Sequence, residues 1–166
     1  GVTINVGDVL LGTLVGNPGG QGDAVGHLML SNAGTNAVTA NLIQVGDSPS
    51  IGNGTTSSIE FGGGTNNVDV DTLTIGGQKS KGIVTVDAGG VLNLTGRNNT
   101  NDVVNANLGW NVTASTGTSS QGDLNTTGAT LNATFGTLNL GRHSVGGGNG
   151  RGILTFDAGT ITADTV

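Results

Sequence analysis

A glycine recurs along this chain at a nearly constant interval, each time closing the same short phrase. The clear copies of apolar-x-apolar-Gly are Ile43-Gln44-Val45-Gly46, Leu73-Thr74-Ile75-Gly76 and Leu138-Asn139-Leu140-Gly141. Leu14-Val15-Gly16 and Ala106-Asn107-Leu108-Gly109 are weaker copies. The glycines at 16, 46, 76, 109 and 141 stand 30, 30, 33 and 32 residues apart. Self-similarity at such a period marks a stacked repeat, in which each unit buries its apolar face only against its neighbours.

The phrase extends beyond its glycine. Leu73–Gly90 reads LTIGGQKSKGIVTVDAGG, and Leu138–Gly159 reads LNLGRHSVGGGNGRGILTFDAG. The flanks are kept while the middle changes length. Each glycine is followed by a polar loop, and both prolines, Pro18 and Pro49, fall there. Next comes an alternating triplet: Leu28-Met29-Leu30, Ile59-Glu60-Phe61, Val84-Thr85-Val86, Leu124-Asn125-Thr126 and Leu154-Thr155-Phe156. A corner follows, in which Asp87-Ala88-Gly89 and Asp157-Ala158-Gly159 read as equivalents. A second strand (Val38-Thr39-Ala40, Val68-Asp69-Val70, Leu131-Asn132-Ala133, Ile161-Thr162-Ala163) leads back to the next phrase.

Alternation over short runs is the pattern of half-buried strands. Glycine, threonine, asparagine and valine are poor helix formers. The 33 glycines suggest disorder at first sight, but 34% of the residues are apolar and only two are proline, unlike a chain that cannot build a core. The sequence therefore predicts an all-β fold: a parallel β-helix (β-solenoid) of about five turns, with about 30 residues per turn. Parallel crossovers favour the right hand. Residues 1–15 read as a partial cap or incomplete turn. Residues 16–166 read as solenoid, with coils near 16–45, 46–75, 76–108, 109–140 and 141–166. Leu30, Phe61, Val86 and Phe156 form an expected inward ladder, and Ala40, Ala133 and Ala163 suit a narrow core.

The pattern LxIG–polar turn–GxLTxDAGxLxAxxL, carried by Leu73–Val91 and Leu138–Val166, resembles the β-strand repeats of bacterial autotransporter passengers. That resemblance implies a secreted, cell-surface, right-handed parallel β-helix. It implies no particular activity, since such passengers serve as scaffolds, adhesins or enzyme carriers.

Charge and composition exclude several functions. A net charge of −6 with five basic residues leaves no stripe for a phosphate backbone. The absence of cysteine removes disulfide frameworks and cysteine zinc sites. No run reaches the roughly 18 apolar residues of a membrane helix. Gly19-Gly20-Gln21-Gly22-Asp23-Ala24-Val25 fits a calcium nonapeptide only once, without the tandem copies that build a cage. Glu60 is the sole glutamate, and His27 and His143 are far apart in register with no matching serine or aspartate. Asp87 and Asp157 suit turns. Trp110 is the sole tryptophan, and one tryptophan is not expected to make a sugar platform. No catalytic set, metal site or cofactor is expected, and the protein reads as a non-enzyme.

Two outward rows are expected: Met29, Glu60, Thr85, Asn125, Thr155, and Gln44, Thr74, Asn107, Asn139. Neither is the uniform threonine row of an ice-binding surface, but the second suggests side-chain ladders between turns. Asn-x-Ser/Thr sequons at Asn53, Asn93, Asn98, Asn111, Asn125 and Asn132 are candidate glycosylation sites. Lys79, Lys81, Arg142 and Arg151 fall in equivalent loops and are candidate contacts to an acidic neighbour. Ala163-Asp164-Thr165-Val166 parallels Val70-Asp71-Thr72-Leu73, and Ile4-Asn5-Val6-Gly7 reads as the phrase that should follow. The chain is thus expected to be an excerpt of a longer repeat protein or a subunit stacking head to tail. The expected function is a structural extracellular protein, a building block of a cell-surface fibre, sheath or layer. The alternative is an adhesin or carbohydrate-binding segment of a larger secreted surface protein. Expected partners are further copies or adjoining repeats, and glycans, with no nucleic acid and no membrane span.

Overall fold

The structure, a computed structural model, describes residues 1–14, 24–30, 34–49, 56–98, 101–112, 119–144 and 148–166. Among them are eleven strands and no helix: β1 (Thr3–Asn5), β2 (Asp8–Thr13), β3 (His27–Met29), β4 (Thr35–Ser48), β5 (Thr56–Phe61), β6 (Thr65–Gln78), β7 (Lys81–Val86), β8 (Val91–Thr95), β9 (Val104–Trp110), β10 (Ser120–Leu140) and β11 (Gly150–Thr165). Every named pairing is parallel and joins one coil to the next. The chain is a β-solenoid. Its first face stacks β3, β5, β7 and the opening segments of β10 and β11. The second stacks β1, β4, β6, β8, β10 and β11, and the third β2, β4, β6, β9 and β10. Five rungs on the first face make about four turns from β3 to β11. This is one turn fewer than the about five expected from sequence. Strands β1 and β2 add a partial coil beyond β4.

The first face has the register expected from sequence. Leu28, Ile59, Val84, Leu124 and Leu154 align, and Met29, Glu60, Thr85, Asn125 and Thr155 form the outward row beside them. Phe61 and Val86 pair in the next inward column, and Leu30 bonds to the Glu60 carbonyl. Phe156, in the same column, pairs Thr126 on the last rung. On the third face Val45, Ile75, Leu108 and Leu140 align inward. Stacking buries what a single coil cannot, and each fully enclosed Leu or Ile contributes about 2 kcal/mol. The gap among Ile43, Ile59, Phe61, Leu73, Leu94 and Leu124 holds only ≈ 10 Å³ and is lined by apolar side chains, so no polar group there would hold a water.

Four expectations change. The first corner glycine of the series is Gly12, not Gly16: Leu11 pairs Val45 and Thr13 pairs Asp47, so Gly12 meets Gly46. Gly16 and Pro18 lie outside the described residues, and Ile4 belongs to the second face, opposite Val38. On that face Ala133, not Leu131, aligns with Leu94 and Ile161, a slip of two residues. Consequently Ala163 pairs Phe135, whereas Ala40 pairs Val70 in the register expected from sequence. The Asp87 and Asp157 corners also differ. Asp87–Gly90 is a turn closed by the Gly90 amide donating to the Asp87 carbonyl, 3.0 Å. Asp157 runs straight into β11, where Gly159 stacks on Leu131.

The recurring phrase marks a seam where the third face meets the first. Gly76 has φ +68°, and a Cβ there would lie 1.8 Å from the Gln121 carbonyl oxygen. A Cβ on Gly82, across the seam, would lie 2.0 Å from the Val45 carbonyl oxygen. Gly109 with Gly122, and Gly141 with Gly152, repeat the arrangement, so two backbones run together where no side chain fits. This explains the kept flanks. The chain exits and re-enters at glycines, and the stretch between them changes length. Five residues separate Gly76 from Gly82, twelve separate Gly109 from Gly122, and ten separate Gly141 from Gly152. Doubling a loop costs only about 0.6 kcal/mol in closure entropy.

The corner from the first face to the second is built differently. Asn66 is fully buried, and its amide donates to the carbonyls of Gly62 (2.9 Å), Gly64 (3.2 Å) and Val91 (3.2 Å). Its Oδ1 accepts from the amide of Asn36 at 2.8 Å, and Asn36 Oδ1 accepts from the Val2 N–H at 3.0 Å. Buried backbone groups need partners, and these amides supply them at the bend.

Candidate functional site

The third face carries the features that stand out from the repeat. Its outward row runs Leu10, Gln44, Thr74, Asn107, Asn139. From Gln44 onward this is the row expected from sequence. The Asn139 amide donates to Asn107 Oδ1 at 2.8 Å. A parallel ladder on the second face runs Asn132 to Asn93 (2.9 Å) and Asn93 to Asn67 (2.8 Å).

The residue after each corner glycine forms a further column: Thr13, Asp47, Gly77, Trp110. Gly77 leaves a gap between Asp47 and Trp110. A Cβ on it would come 2.7 Å from Asp47 Oδ1. The gap opens into a cleft of ≈ 180 Å³ lined by Gln44, Asp47, Thr74, Gln78, Trp110 and Val112. Gln44 donates to the Asp47 carboxylate, and Gln78 bonds it too. Burial pushes the Asp47 pKa above its ordinary 3.8, more than the bonds from Gln78 and Gln44 pull it back. The indole Nε1 of Trp110 is buried and has no hydrogen-bond partner among the described residues. Arg142, which follows the next corner glycine, holds its guanidinium 5.5 Å from the indole centroid, within cation–π range.

A wider cleft of ≈ 390 Å³ lies where the second face turns into the third, lined by Thr39, Asp69, Thr95, Gly96, Arg97 and Asp102. Thr95 donates to the Asp69 carboxylate. The segment after β8 is tied back across the rungs. Arg97 Nη1 donates to the Val6 carbonyl and Asn41 Oδ1, both 3.1 Å. The Asn98 N–H and amide each donate to the Asp71 carboxylate at 2.8 Å. Desolvation alone would raise the Asp71 pKa, but the Asn98 bonds, the Arg97 N–H and the Arg97 charge outweigh it and hold it below 3.8. A carboxylate depressed in the fold stabilises above its unfolded pKa, and that support fades as pH falls through its folded value. The Asn98 amide resonance is therefore expected to titrate with a midpoint below 3.8, and Asp71→Asn to abolish the titration. NMR across acidic pH checks this, and a midpoint above 3.8 would contradict the tether.

The loop cations do not share one environment. Lys81 and Arg151 are exposed and lie in one column, two rungs apart with Gln121 between. Lys79 is buried, at 5% exposure, and Arg142 sits on Trp110. Of the sequons, Asn111 is fully buried, and Asn93 and Asn132 belong to the second-face ladder. Asn98 is engaged with Asp71. Asn125 is exposed, its Oδ1 accepting from the Thr127 hydroxyl at 2.7 Å. Asn53 and the Gly19–Asp23 glycines of the nonapeptide lie outside the described residues.

Among the described residues no three His, Asp or Glu side chains gather as metal ligands. His27 contacts Ser58 Oγ at 2.8 Å on the first face, whereas His143 bridges to Asn111 beside the third. Among the described residues no helix is long and apolar enough to cross a membrane. Comparison with known proteins gives no match to any family model, curated protein or solved structure. The reading of function therefore stands on the geometry. Sequence reasoning singled out Trp110 and Gln44 but missed Asp47, Gly77 and Gln78. Aligning the residues that follow each corner glycine, Asp47, Gly77, Trp110 and Arg142, is the signal that finds them.

Proposed function

We propose that this chain is structural, a rod-forming module of an extracellular fibre, sheath or surface layer that associates by edge-to-edge stacking of β-coils. One observation carries the reading. Phe61 and Val86 are 4% and 6% exposed, whereas Phe156, in the same inward column on the β11 rung, is 45% exposed. An apolar column bared on an open rung, beside unpaired strand edges, is a template for another coil. A second copy or a further coil of a longer chain covers it equally well. The lack of a clustered catalytic set among the described residues fits the same role.

Electron microscopy and sedimentation of the purified chain test the self-stacking form. Concentration-dependent rods are expected, and Phe156→Glu should shorten or abolish them because it places a charge on the open core. Monomers at every concentration would overturn the self-association.

A further inference from the structure

At the Trp110 cleft the repeat of side chains is interrupted. In the column Thr13, Asp47, Gly77, Trp110 the missing side chain at Gly77 keeps apart a carboxylate and an indole. We propose that this cleft binds one pyranose unit of a neutral saccharide, with the Trp110 indole as platform and Asp47, Gln44 and Gln78 as its polar wall. This goes beyond the structural role and does not depend on it.

The groups select the ligand class. The Asp47 carboxylate accepts from sugar hydroxyls, and the amides of Gln44 and Gln78 hold it in place. An anionic ligand meets repulsion from Asp47. A cationic one meets an indole whose π-system already serves Arg142. A neutral, hydroxyl-rich ring remains, and ≈ 180 Å³ suits one ring and not a chain of them. Sites that bind small ligands combine an apolar surface with a few placed polar groups in this way.

The sole tryptophan reports directly on the site. Intrinsic fluorescence is followed during titration with methyl glycosides of neutral hexoses and N-acetylhexosamines. A saturable change at millimolar concentration is expected for at least one of them. Gly77→Ala, whose Cβ intrudes on Asp47, should weaken it at least ten-fold while leaving the thermal melt nearly unchanged. Asp47→Asn should weaken it as well, and it decides the matter if Gly77→Ala fails to fold. No response to any glycoside, or a response that survives the substitutions, overturns the proposal. So does saturable binding of tetramethylammonium that glycosides fail to displace.

Discussion

Gly76→Ala is expected to cost about 4 kcal/mol or more, at the exceptional end for a single substitution. The positive φ of +68° is only part of the cause, since an alanine in that region costs about 1–2 kcal/mol. The larger part is the Cβ, placed 1.8 Å from the Gln121 carbonyl oxygen. That neighbour is backbone in β10, held by its own ladder, and cannot rotate aside. Relief requires the third and first faces to part, which exposes Ile75 and Leu124, both fully buried. Gly89→Ala is the control. Its φ is +81°, but nothing lies within 4 Å of the added Cβ, so the cost should be about 1 kcal/mol. Thermal melts read the difference as about 10 °C in Tm for Gly76→Ala and a few degrees for Gly89→Ala. Equal losses would mean that backbone conformation, not close approach, fixes the seam.

That contrast also shows what a sequence of this kind reveals. The seam was legible because two flanking glycines recur around loops of different length, and first-face register followed from the strand attached to each re-entry glycine. The second face was not legible to the same degree. Val86 to Val91 turns through four intervening residues, Thr126 to Thr130 through three, and Phe156 to Ala158 through one. Nothing in the strands announces these lengths. A slip of two residues keeps every side chain on its proper side, so Leu131-Asn132-Ala133 satisfies the alternation in either register. The same parity hides the exchange of Gly12 for Gly16, four residues apart.

The candidate site was partly legible for a related reason. Trp110 stands out by type, as the only large aromatic with a polar atom in the chain. Asp47 and Gly77 look like ordinary turn residues until the coils are superposed. Only then does the glycine become a gap, and the aspartate the wall of a cleft. The loop cations show the reverse. Their shared position in the repeat suggested one charged edge, yet Lys79 is buried and Arg142 is stacked on an indole, while Lys81 and Arg151, from the same two loops, are exposed.

Asn66→Leu separates shape from hydrogen bonding in the fold. The column of Asn66 continues as Leu92 and Leu131 on the following rungs, both buried. Leucine therefore suits the position in shape and apolarity. Were packing all that mattered there, the substitution would be neutral or stabilising. Instead it removes the donors to the Gly62, Gly64 and Val91 carbonyls and the acceptor for the Asn36 amide. These groups sit at a corner where the strand ladder is interrupted and water is excluded. The expected loss is about 3 kcal/mol, the scale of stranding buried polar groups. Asn93→Ala, in the outward ladder, deletes two amide bonds that water replaces and should cost about 1 kcal/mol or less. Urea denaturation with an unchanged m-value measures both. An Asn66→Leu protein as stable as the parent would mean that the second corner is held by packing, and that its two buried asparagines are incidental to the bend.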